Sequence, residues 1–435
     1  MEPLVFTGKY TSCKVFTENI EASAIARVYS FLNCPAFEGV QIRIMPDVHE
    51  GKGAVIGFTC PLNPLESLKI VPNVIGVDIG CGVQAVPLSV EMITPSDFSD
   101  FDKWLRACVP SGFAHRTSPY PDLRKIFIEM IGNASWWDDF EKDVTKISLK
   151  IGQTPEQVWN QCGTLGGGNH FIEIARDLEG NLWLVVHSGS RNFGLRIAEF
   201  HQRKAQDFHG GNRKNELAWL EGEEAQGYLR DMRVAQKFAM LNRLIMLDSL
   251  LQFEETHIWE LKDSLITSVH NFIGDDGIIR KGAISAKAGE KVIIPWNMAE
   301  GSIVGIGKGN PDWNFSAPHG AGRAMSRGDA KRGISMHAYE QRMTASGVWS
   351  SCIDENTLDE CPQAYKSSSE VEACIGDTVE VTNRLKPVYN FKASEDPDKK
   401  RLKQERKFKR IRDAKFAAEN KGIDGQWDKD PDEEV

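Results

Sequence analysis

The chain has 435 residues, with 52 Lys and Arg against 61 Asp and Glu, a formal net charge of −9, and 41% hydrophobic residues. This composition is typical of a globular protein and excludes a largely disordered or collagen-like chain. The acidic balance excludes a surface built throughout to coat nucleic acid, so any nucleic-acid site must be local. The start lacks a basic segment followed by an apolar run, and no run approaches a membrane span. We therefore expect a cytoplasmic location and no membrane partner.

The hydrophobic spacing predicts the first elements. An amphipathic helix is predicted over residues 14–31, a strand over 40–44, and a second strand over 74–78 that ends in a Gly-Cys-Gly turn. Helical spacing over 213–263 predicts one or two long helices, an inserted helical layer.

Further short strands are predicted over 171–174, 182–186 and 291–295. Strands in separated blocks indicate an α+β fold rather than regular βαβ alternation. Nine Lys or Arg lie within residues 399–412, before an acidic end, and predict a solvated helix and frayed tail.

Several loops carry side chains that could bind a metal. Asp78 and Cys81 share one turn, and His170, His187 and His270 lie in three other loops. Imidazoles with a thiolate and a carboxylate suit a divalent transition metal, and one sulfur can bridge two ions. Taken singly, each histidine could instead be a buried hydrogen-bonding residue, and the cysteine a small hydrophobe. The nine cysteines form no CxxC pair, so neither a disulfide scaffold nor a zinc ribbon is expected.

Arginines beside serines and small residues could hold phosphates. Arg191, Arg323 and Arg327 have this setting, although each could equally pair with a carboxylate at the surface. The glycine-rich stretch 163–168 could cradle an anion or form a tight turn.

Two nucleotide motifs are excluded. Residues 80–85 match the loose dinucleotide fingerprint G-x-G-x-x-A, but Pro87 and β-branched residues follow where that motif requires a helix. No G-x-x-x-x-G-K-[ST] sequence occurs either.

Five longer blocks resemble one known family. They are Met-Pro-Asp-Val-His (45–49), Gly-Val-Asp-Ile-Gly-Cys-Gly (76–82), Gly-Thr-Leu-Gly-Gly-Gly-Asn-His-Phe-Ile-Glu (163–173), His-Ser-Gly-Ser-Arg (187–191) and His-Gly-Ala-Gly-Arg-Ala-Met-Ser-Arg (319–327). In this order they resemble the signature blocks of the RtcB family of RNA ligases, and the resemblance covers roughly residues 40–392. The segments 360–366 and 385–392 resemble the family's tyrosine and lysine blocks.

The resemblance implies a fold and an activity. It implies an α+β, RtcB-like single domain over residues 1–394, with mixed β-sheets around a dinuclear metal centre, a helical insertion over 213–263 and a charged extension over 395–435. The family joins an RNA 3′-phosphate or 2′,3′-cyclic phosphate to a 5′-hydroxyl, with GTP and two Mn²⁺, in tRNA splicing or RNA repair. Whether an activating protein partner takes part is left open.

The resemblance also implies roles for residues. One metal is expected on Cys81, His187 and His270, and the other on Asp78, Cys81 and His170, with Cys81 as the bridge. His319 matches the nucleophile that attacks the α-phosphate of GTP. The other implied catalytic residues are Asp47, Glu173 and Arg323, and the implied nucleotide-binding residues are Asn169, His319, Ala321, Gly322, Tyr365, Lys392 and Asn297.

Three points qualify these expectations. A regular strand would place Glu173 and His170 on opposite faces, so a shared site requires a bend. The family usually has Pro-Gly-Ser-Met-Gly-Thr where this chain has Pro-Trp-Asn-Met-Ala-Glu (295–300), which puts nucleotide contacts from that loop in question. Manganese follows from the family alone, because thiolate and imidazole ligands bind Zn²⁺ more tightly by the general affinity order.

Two other functions remain as alternatives. One is a dinuclear metal-dependent RNA phosphodiesterase or phosphatase that does not ligate. The other is a non-catalytic RNA-binding protein that uses the basic tail.

Overall fold

The computed structural model describes residues 2–90, 92 and 94–393. Residues Met1–Ser394 form one compact unit, whereas the predicted extension 395–435 lies outside the described residues. The helices are α1 Ala22–Leu32, α2 Pro72–Ile75, α3 Pro95–Cys108, α4 Leu123–Met130, α5 Ala134–Lys150, α6 Pro155–Trp159, α7 Arg191–Phe208, α8 Gly222–Leu251, α9 Arg327–Gly333, α10 Met336–Ser346 and α11 Ser368–Glu372. The strands are β1 Leu4–Thr7, β2 Ser12–Val15, β3 Ile42–His49, β4 Ile56–Pro61, β5 Lys69–Ile70, β6 Gly82–Leu88, β7 Phe171–Arg176, β8 Leu182–Ser188, β9 Leu220–Glu221, β10 Ile266–Val269, β11 Phe272–Ile273, β12 Ile278–Lys281, β13 Ala283–Ser285, β14 Lys291–Pro295, β15 Ser302–Gly307, β16 Ser316–Pro318 and β17 Val379–Lys392.

Two larger sheets carry the architecture. One has the strand order β1-β2-β3-β4-β12-β11, and the other has the order β10-β6-β8-β7-β17-β15-β14. Strands β2 and β3 pair in parallel, whereas β10, β6, β8 and β7 each pair antiparallel with the next strand. The described residues therefore form mixed sheets combined with helices, as expected of an α+β fold.

The antiparallel order places four sequence positions at the same end of neighbouring strands in the second sheet. Cys81 precedes β6, His170 precedes β7, His187 lies near the end of β8, and His270 follows β10. Because neighbouring strands run in opposite directions, the start of one strand lies beside the end of the next. The topology alone therefore gathers the predicted sulfur and imidazole ligands.

Helix α8 lies next to this end of the sheet. Its residues are rich in good helix formers, and from Leu241 to Leu251 every side chain is buried. This part of α8 is buried on all sides, and the helix packs against β8 and β6. The predicted helical segment 213–263 contains α8, while α5 and α7 also pack on α8 and extend the helical layer beyond that segment.

Two predicted elements differ from the structure. The helix predicted over 14–31 starts too early, because residues 14 and 15 belong to β2, which pairs with β3, and α1 begins only at Ala22. No strand forms over residues 74–78: residues 74 and 75 end the short helix α2, in which Pro72 occupies the first turn, and Gly76, at φ 97°, terminates it. The β-branched residues of this segment favoured a strand, but the neighbouring proline and glycine determine its backbone conformation.

Other predicted strands are confirmed. Strands β7, β8 and β14 cover the predicted segments 171–174, 182–186 and 291–295, and β3 begins within the predicted segment 40–44. Strand β6 follows the Gly-Cys-Gly turn directly, which confirms that no dinucleotide-binding helix begins there. Within the described part of the chain, no helix is long and apolar enough to cross a membrane.

Candidate active site

Five side chains lie close together at this end of the second sheet. The ligand atoms of Cys81, His187 and His270 lie within 4.8 Å of one another, and so do those of Asp78, Cys81 and His170. The Cys81 sulfur lies 3.3 Å from His187 Nε2 and 3.4 Å from His170 Nε2, which in turn lies 2.9 Å from Asp78 Oδ2. Cys81 belongs to both groups. We call these five residues the donor cluster.

The protonation states of the donor cluster suit metal binding. Burial lowers the pKa values of His187 and His270 well below their usual range, so both rings are neutral and keep a free lone pair. The Nδ1 of His170 lies 2.8 Å from the Leu165 carbonyl oxygen, which orients the ring so that Nε2 faces Asp78 and Cys81. Burial tends to raise the pKa of Asp78, but His170 and Arg191 outweigh it and lower that pKa.

Backbone contacts hold the ligand loops together. The Asn271 amide donates to the Asp78 carbonyl, and the Asn271 carbonyl accepts from the Gly80 N–H. The His270 N–H donates to the Cys81 carbonyl at 2.8 Å, and the Ser190 N–H donates to Asp78 Oδ1 at 3.0 Å. These bonds fix the distances within the donor cluster before any ion binds.

Gly189 leaves room for the Asp78 carboxylate. A Cβ atom at residue 189 would lie 2.1 Å from Asp78 Oδ1, closer than real contacts allow. We expect Gly189→Ala to push this carboxylate out of place and weaken divalent metal binding by about 10- to 100-fold, as altered support of metal ligands does elsewhere. Isothermal titration with Mn²⁺ measures the change. Gly167→Ala is the matched control, because a Cβ there meets nothing within 4 Å; equal metal affinity in both variants would contradict the expectation.

His319 lies beside the donor cluster with one nitrogen engaged. It follows β16, and its ring centroid is 4.7 Å from that of His270. Its Nδ1 lies 2.7 Å from Oδ2 of Asp47, which is fully buried and also accepts the His319 backbone N–H. The Asp47 carboxylate therefore engages Nδ1 and orients the ring. An imidazole oriented in this way is a competent nucleophile whenever its Nε2 carries no proton.

Glu173 is a buried carboxyl group with a raised pKa. Burial raises the pKa to about 8, against the opposing effects of Asn390 and Lys392. The Asn390 amide donates to Oε2 at 2.8 Å, while Oε1 is buried without a partner among the described residues. Glu173 is therefore neutral near pH 7 and has a polar atom available to a ligand.

Glu360 forms ion pairs with three basic side chains and a hydrogen bond with a tyrosine hydroxyl. Its carboxylate lies 2.8 Å from Arg327, 2.9 Å from Lys392 and 3.4 Å from Arg323, and it accepts the hydroxyl of Tyr365. Burial opposes ionisation, but Lys392 and Arg327 outweigh it and lower the pKa of Glu360 to about 2. The carboxylate therefore contacts four side chains that sequence analysis had assigned to phosphate, catalysis or nucleotide binding.

A cavity of about 500 Å³ connects these groups. All members of the donor cluster except His170 line the cavity, and so does His319. Asp47 and His170 do not line it; Asp47 contacts His319, and His170 contacts Asp78 and Cys81. The other predicted site residues on its wall are Asn169, Glu173, Asn297, Ala321, Gly322, Arg323, Tyr365 and Lys392.

Comparison with known proteins decides the family. A family model described as tRNA-splicing ligase RtcB matches residues 32–393. The chain belongs to the RtcB family. It is 32% identical to the RNA-splicing ligase RtcB of Escherichia coli strain K12 over 415 residues, which cover 89% of this chain and 99% of the relative. It is 27% identical to the tRNA-splicing ligase RtcB of Aeropyrum pernix over 411 residues, which cover 78% of this chain and 85% of the relative.

The structure bears on two alternatives that the sequence of this RtcB-family chain left open. Arg191 does not line the cavity; it bonds the Thr164 hydroxyl and the Gly112 carbonyl. The N–H groups of Gly163 and Thr164 donate to Asn242, and that of Leu165 donates to Pro110. The beginning of the glycine-rich stretch is therefore a tight turn rather than an anion cradle.

His170 and Glu173 reach the same site because the strand begins between them. His170 precedes β7, so the alternation of a regular strand does not apply to it, and its ring reaches Asp78 and Cys81. Glu173 lies within β7 and lines the cavity.

The loop that departs from the RtcB pattern keeps its place at the cavity. Trp296 and Asn297 both line the wall. The Asn297 side-chain oxygen accepts the N–H groups of Ala299 and Glu300, each at 3.1 Å, and so closes the turn. Its amide nitrogen is the group that remains for a ligand.

Sequence analysis missed three buried polar residues, Glu360, Asn242 and Arg243. Glu360 lay within a quoted block but was given no role. Asn242 and Arg243 interrupt the apolar run of α8, and two adjacent polar residues in a helix buried on all sides are the signal that could have singled them out.

Proposed function

We propose that this protein is an RNA ligase that joins an RNA 3′-phosphate or 2′,3′-cyclic phosphate end to a 5′-hydroxyl end with GTP. The observation that carries this proposal is the position of His319, oriented by Asp47 and next to the donor cluster on the wall of one cavity. A phosphodiesterase that hydrolyses with water does not require a covalent histidine intermediate, so the reaction products and the covalent state of His319 distinguish the two functions.

The first step is nucleophilic attack by His319. Its Nε2 lone pair forms a bond to the α-phosphorus of GTP, and the bond to the bridging oxygen breaks, so that pyrophosphate leaves. Asp47 stabilises the positive charge that develops on the ring, as a buried carboxylate does for a catalytic histidine. The product is a guanylate on His319.

The later steps use the RNA ends. The terminal 3′-phosphate attacks the guanylate phosphorus and releases His319, and the 5′-hydroxyl then attacks the activated 3′-phosphate and releases GMP. A cyclic phosphate must first be opened by water to give the 3′-phosphate. Arg323 and Arg327 line the cavity, and guanidinium groups suit phosphate oxygens.

The donor cluster fits two divalent ions. It supplies neutral imidazoles, one carboxylate and one cysteine shared between the two groups, a set that suits divalent transition metals. When bound, two such ions stabilise charge on the attacking and leaving oxygens of a phosphoryl displacement. We propose Mn²⁺ as the ion. The protein itself contributes fixed ligands and neutral rings.

Guanosine binding is assigned to other residues of the same cavity. Asn169, Tyr365 and Lys392 line it, with the Lys392 ammonium 3.3 Å from the Asn169 carbonyl. The neutral Glu173 and the Asn297 amide add polar groups, and Ala321 and Gly322 allow close approach beside His319. These contacts are part of the proposal.

Product analysis separates the candidate functions. A labelled RNA with a 2′,3′-cyclic phosphate end is incubated with a second RNA that has a 5′-hydroxyl, with Mn²⁺ and with or without GTP. A ligase gives a longer RNA only with GTP. A phosphodiesterase would give only the opened phosphate end, and a non-catalytic RNA-binding protein would leave both RNAs unchanged; either result would contradict the proposal.

Zinc should inhibit the proposed ligase. Sulfur and imidazole ligands bind Zn²⁺ more tightly than Mn²⁺, so Zn²⁺ at equal concentration should displace Mn²⁺ from the donor cluster. We expect loss of RNA joining in the assay above as Zn²⁺ is added, with recovery when a zinc chelator is supplied. Undiminished joining with excess Zn²⁺ would contradict this prediction.

A further inference from the structure

Arg243 is a fully buried arginine that contacts two of the ligand loops at once. It lies on α8, and its Nη1 donates to the Gly80 carbonyl at 2.8 Å and to the Ser188 carbonyl at 2.7 Å. Gly80 directly precedes Cys81, and Ser188 directly follows His187. One nitrogen atom therefore ties together the chain segments that carry the sulfur and an imidazole of the donor cluster.

Asn242, the preceding residue, holds two further segments. Its side-chain oxygen accepts the N–H groups of Gly163 and Thr164 at 2.8 and 2.9 Å. Its amide donates to the Ser188 hydroxyl at 3.1 Å and to the Gly189 carbonyl at 3.0 Å. The buried amide thus uses two donor and two acceptor positions, which is its full capacity.

The segment that begins at Gly163 also contacts a second histidine of the donor cluster, His170. The Ser188 hydroxyl donates to the Leu165 carbonyl, which is also the partner of His170 Nδ1. The segment held by Asn242 therefore includes the carbonyl that orients the His170 ring. Two adjacent residues of one helix thereby determine the relative positions of the loops carrying Cys81, His170 and His187.

The ligand loop lies directly on this helix. A Cβ atom at Gly80 would lie 2.8 Å from the Gln236 Cα atom of α8, so no side chain fits between the loop and the helix. Among the described residues, no carboxylate lies at ion-pair distance from Arg243. By contrast Arg280, another buried arginine, pairs with Asp276 at 2.8 Å. The direct polar contacts of Arg243 are thus with backbone carbonyls of the ligand loops.

We propose that Asn242 and Arg243 are positioning residues of the metal centre, which fix the spacing of the donor cluster from the helical layer. This inference rests on the proposed metal centre. It extends that proposal by assigning to α8 the role of holding the ligand loops at fixed distances from one another. Partners of metal ligands commonly contribute 10- to 100-fold to metal affinity.

The test measures Co²⁺ binding rather than catalysis. The full chain and the variants Asn242→Ala, Arg243→Met and Arg243→Lys are titrated with Co²⁺, and the visible absorbance of the ion reports both affinity and ligand geometry. Arg280→Met is the matched control, because it removes another buried arginine whose hydrogen bonds go to Asp276, Ser316 and Phe315 rather than to the ligand loops. Circular dichroism and thermal melting of each metal-free variant establish folding.

We expect Asn242→Ala and Arg243→Met to weaken Co²⁺ binding by about 10- to 100-fold and to change the absorbance spectrum. Arg243→Lys should recover part of the affinity, because a single ammonium can donate to both carbonyls. Arg280→Met should lower the melting temperature and leave Co²⁺ affinity within twofold. Should Arg243→Met fail to fold, Asn242→Ala and Arg243→Lys decide by the same criterion.

Two results would overturn the inference. One is a folded Asn242→Ala or Arg243→Met variant whose Co²⁺ affinity and spectrum match those of the unmodified chain. The other is an Arg280→Met variant that loses Co²⁺ affinity to the same extent. An unmodified chain that binds Co²⁺ in this way but never joins RNA would contradict the proposed ligase function instead, and would leave the positioning roles intact.

Discussion

Replacing His319 with alanine is expected to abolish RNA joining, with the rate falling by about 10⁴-fold or more, as removal of an enzymatic nucleophile does elsewhere. The reason is that no other histidine has both a buried carboxylate partner and a place on the cavity wall among the described residues. Single-turnover joining of a 3′-phosphate RNA to a 5′-hydroxyl RNA, with GTP and Mn²⁺, measures the loss. Joining by His319→Ala at a rate within tenfold of the unmodified chain would contradict the assignment.

Asp47→Asn gives the matched comparison for His319. An asparagine keeps the size of the side chain but cannot hold the Nδ1 proton and stabilise the charged ring as a carboxylate does. We expect a loss of about 10²- to 10⁴-fold with His319 still present, because such a carboxylate both orients the ring and stabilises its charge. Metal binding by both variants should stay near normal, since neither residue belongs to the donor cluster.

Replacing Cys81 with alanine is expected to remove both metal positions together. The sulfur is common to both groups of the donor cluster, so its loss leaves each group with two ligands from this chain. We expect the number of tightly bound Mn²⁺ ions to fall from two to none, and RNA joining to fall with it. Equilibrium dialysis with metal analysis measures the number of ions bound. Cys60→Ala is the control, because Cys60 is equally buried but lies within β4.

The same sulfur predicts how metal binding depends on pH. Burial and the neighbouring Asp78 raise the pKa of the Cys81 thiol well above its usual range, so the metal-free protein holds the proton at neutral pH. Metal binding must release that proton, and affinity should therefore rise with pH, by up to about tenfold per unit. His187 and His270 are already neutral and add little to this dependence near pH 7. Retention of both ions by Cys81→Ala would contradict the bridging role.

Much of the secondary structure could be predicted from local patterns. The short strands β7, β8 and β14 and the long helix α8 follow from alternation and helical spacing. The prediction failed at residues 74–78, where Val and Ile favoured a strand but Pro72 and Gly76 produce a helical turn. It also failed at residues 14 and 15, because their pairing with β3 is a long-range contact that local spacing cannot reveal.

The candidate site was harder to predict from residue chemistry alone. Asp47 and His319 are 272 residues apart, and Cys81 and His187 are 106 apart. Nothing in local sequence brings such pairs together, so the resemblance to a family supplied the grouping that the antiparallel strand order then explains. Glu360, Asn242 and Arg243 act through partners distant in sequence, and their roles became visible only in the folded chain.

The covalent state of His319 tests the central proposal most directly. The full chain is incubated with Mn²⁺ and GTP labelled at the α-phosphate, without RNA, and the labelled peptide is identified by mass spectrometry under conditions that preserve phosphoramidate bonds. We expect one guanylate per chain on the peptide that contains His319, and none in His319→Ala. Label that persists in that variant, or a Mn²⁺-loaded chain that joins RNA without ever acquiring label, would contradict the proposal.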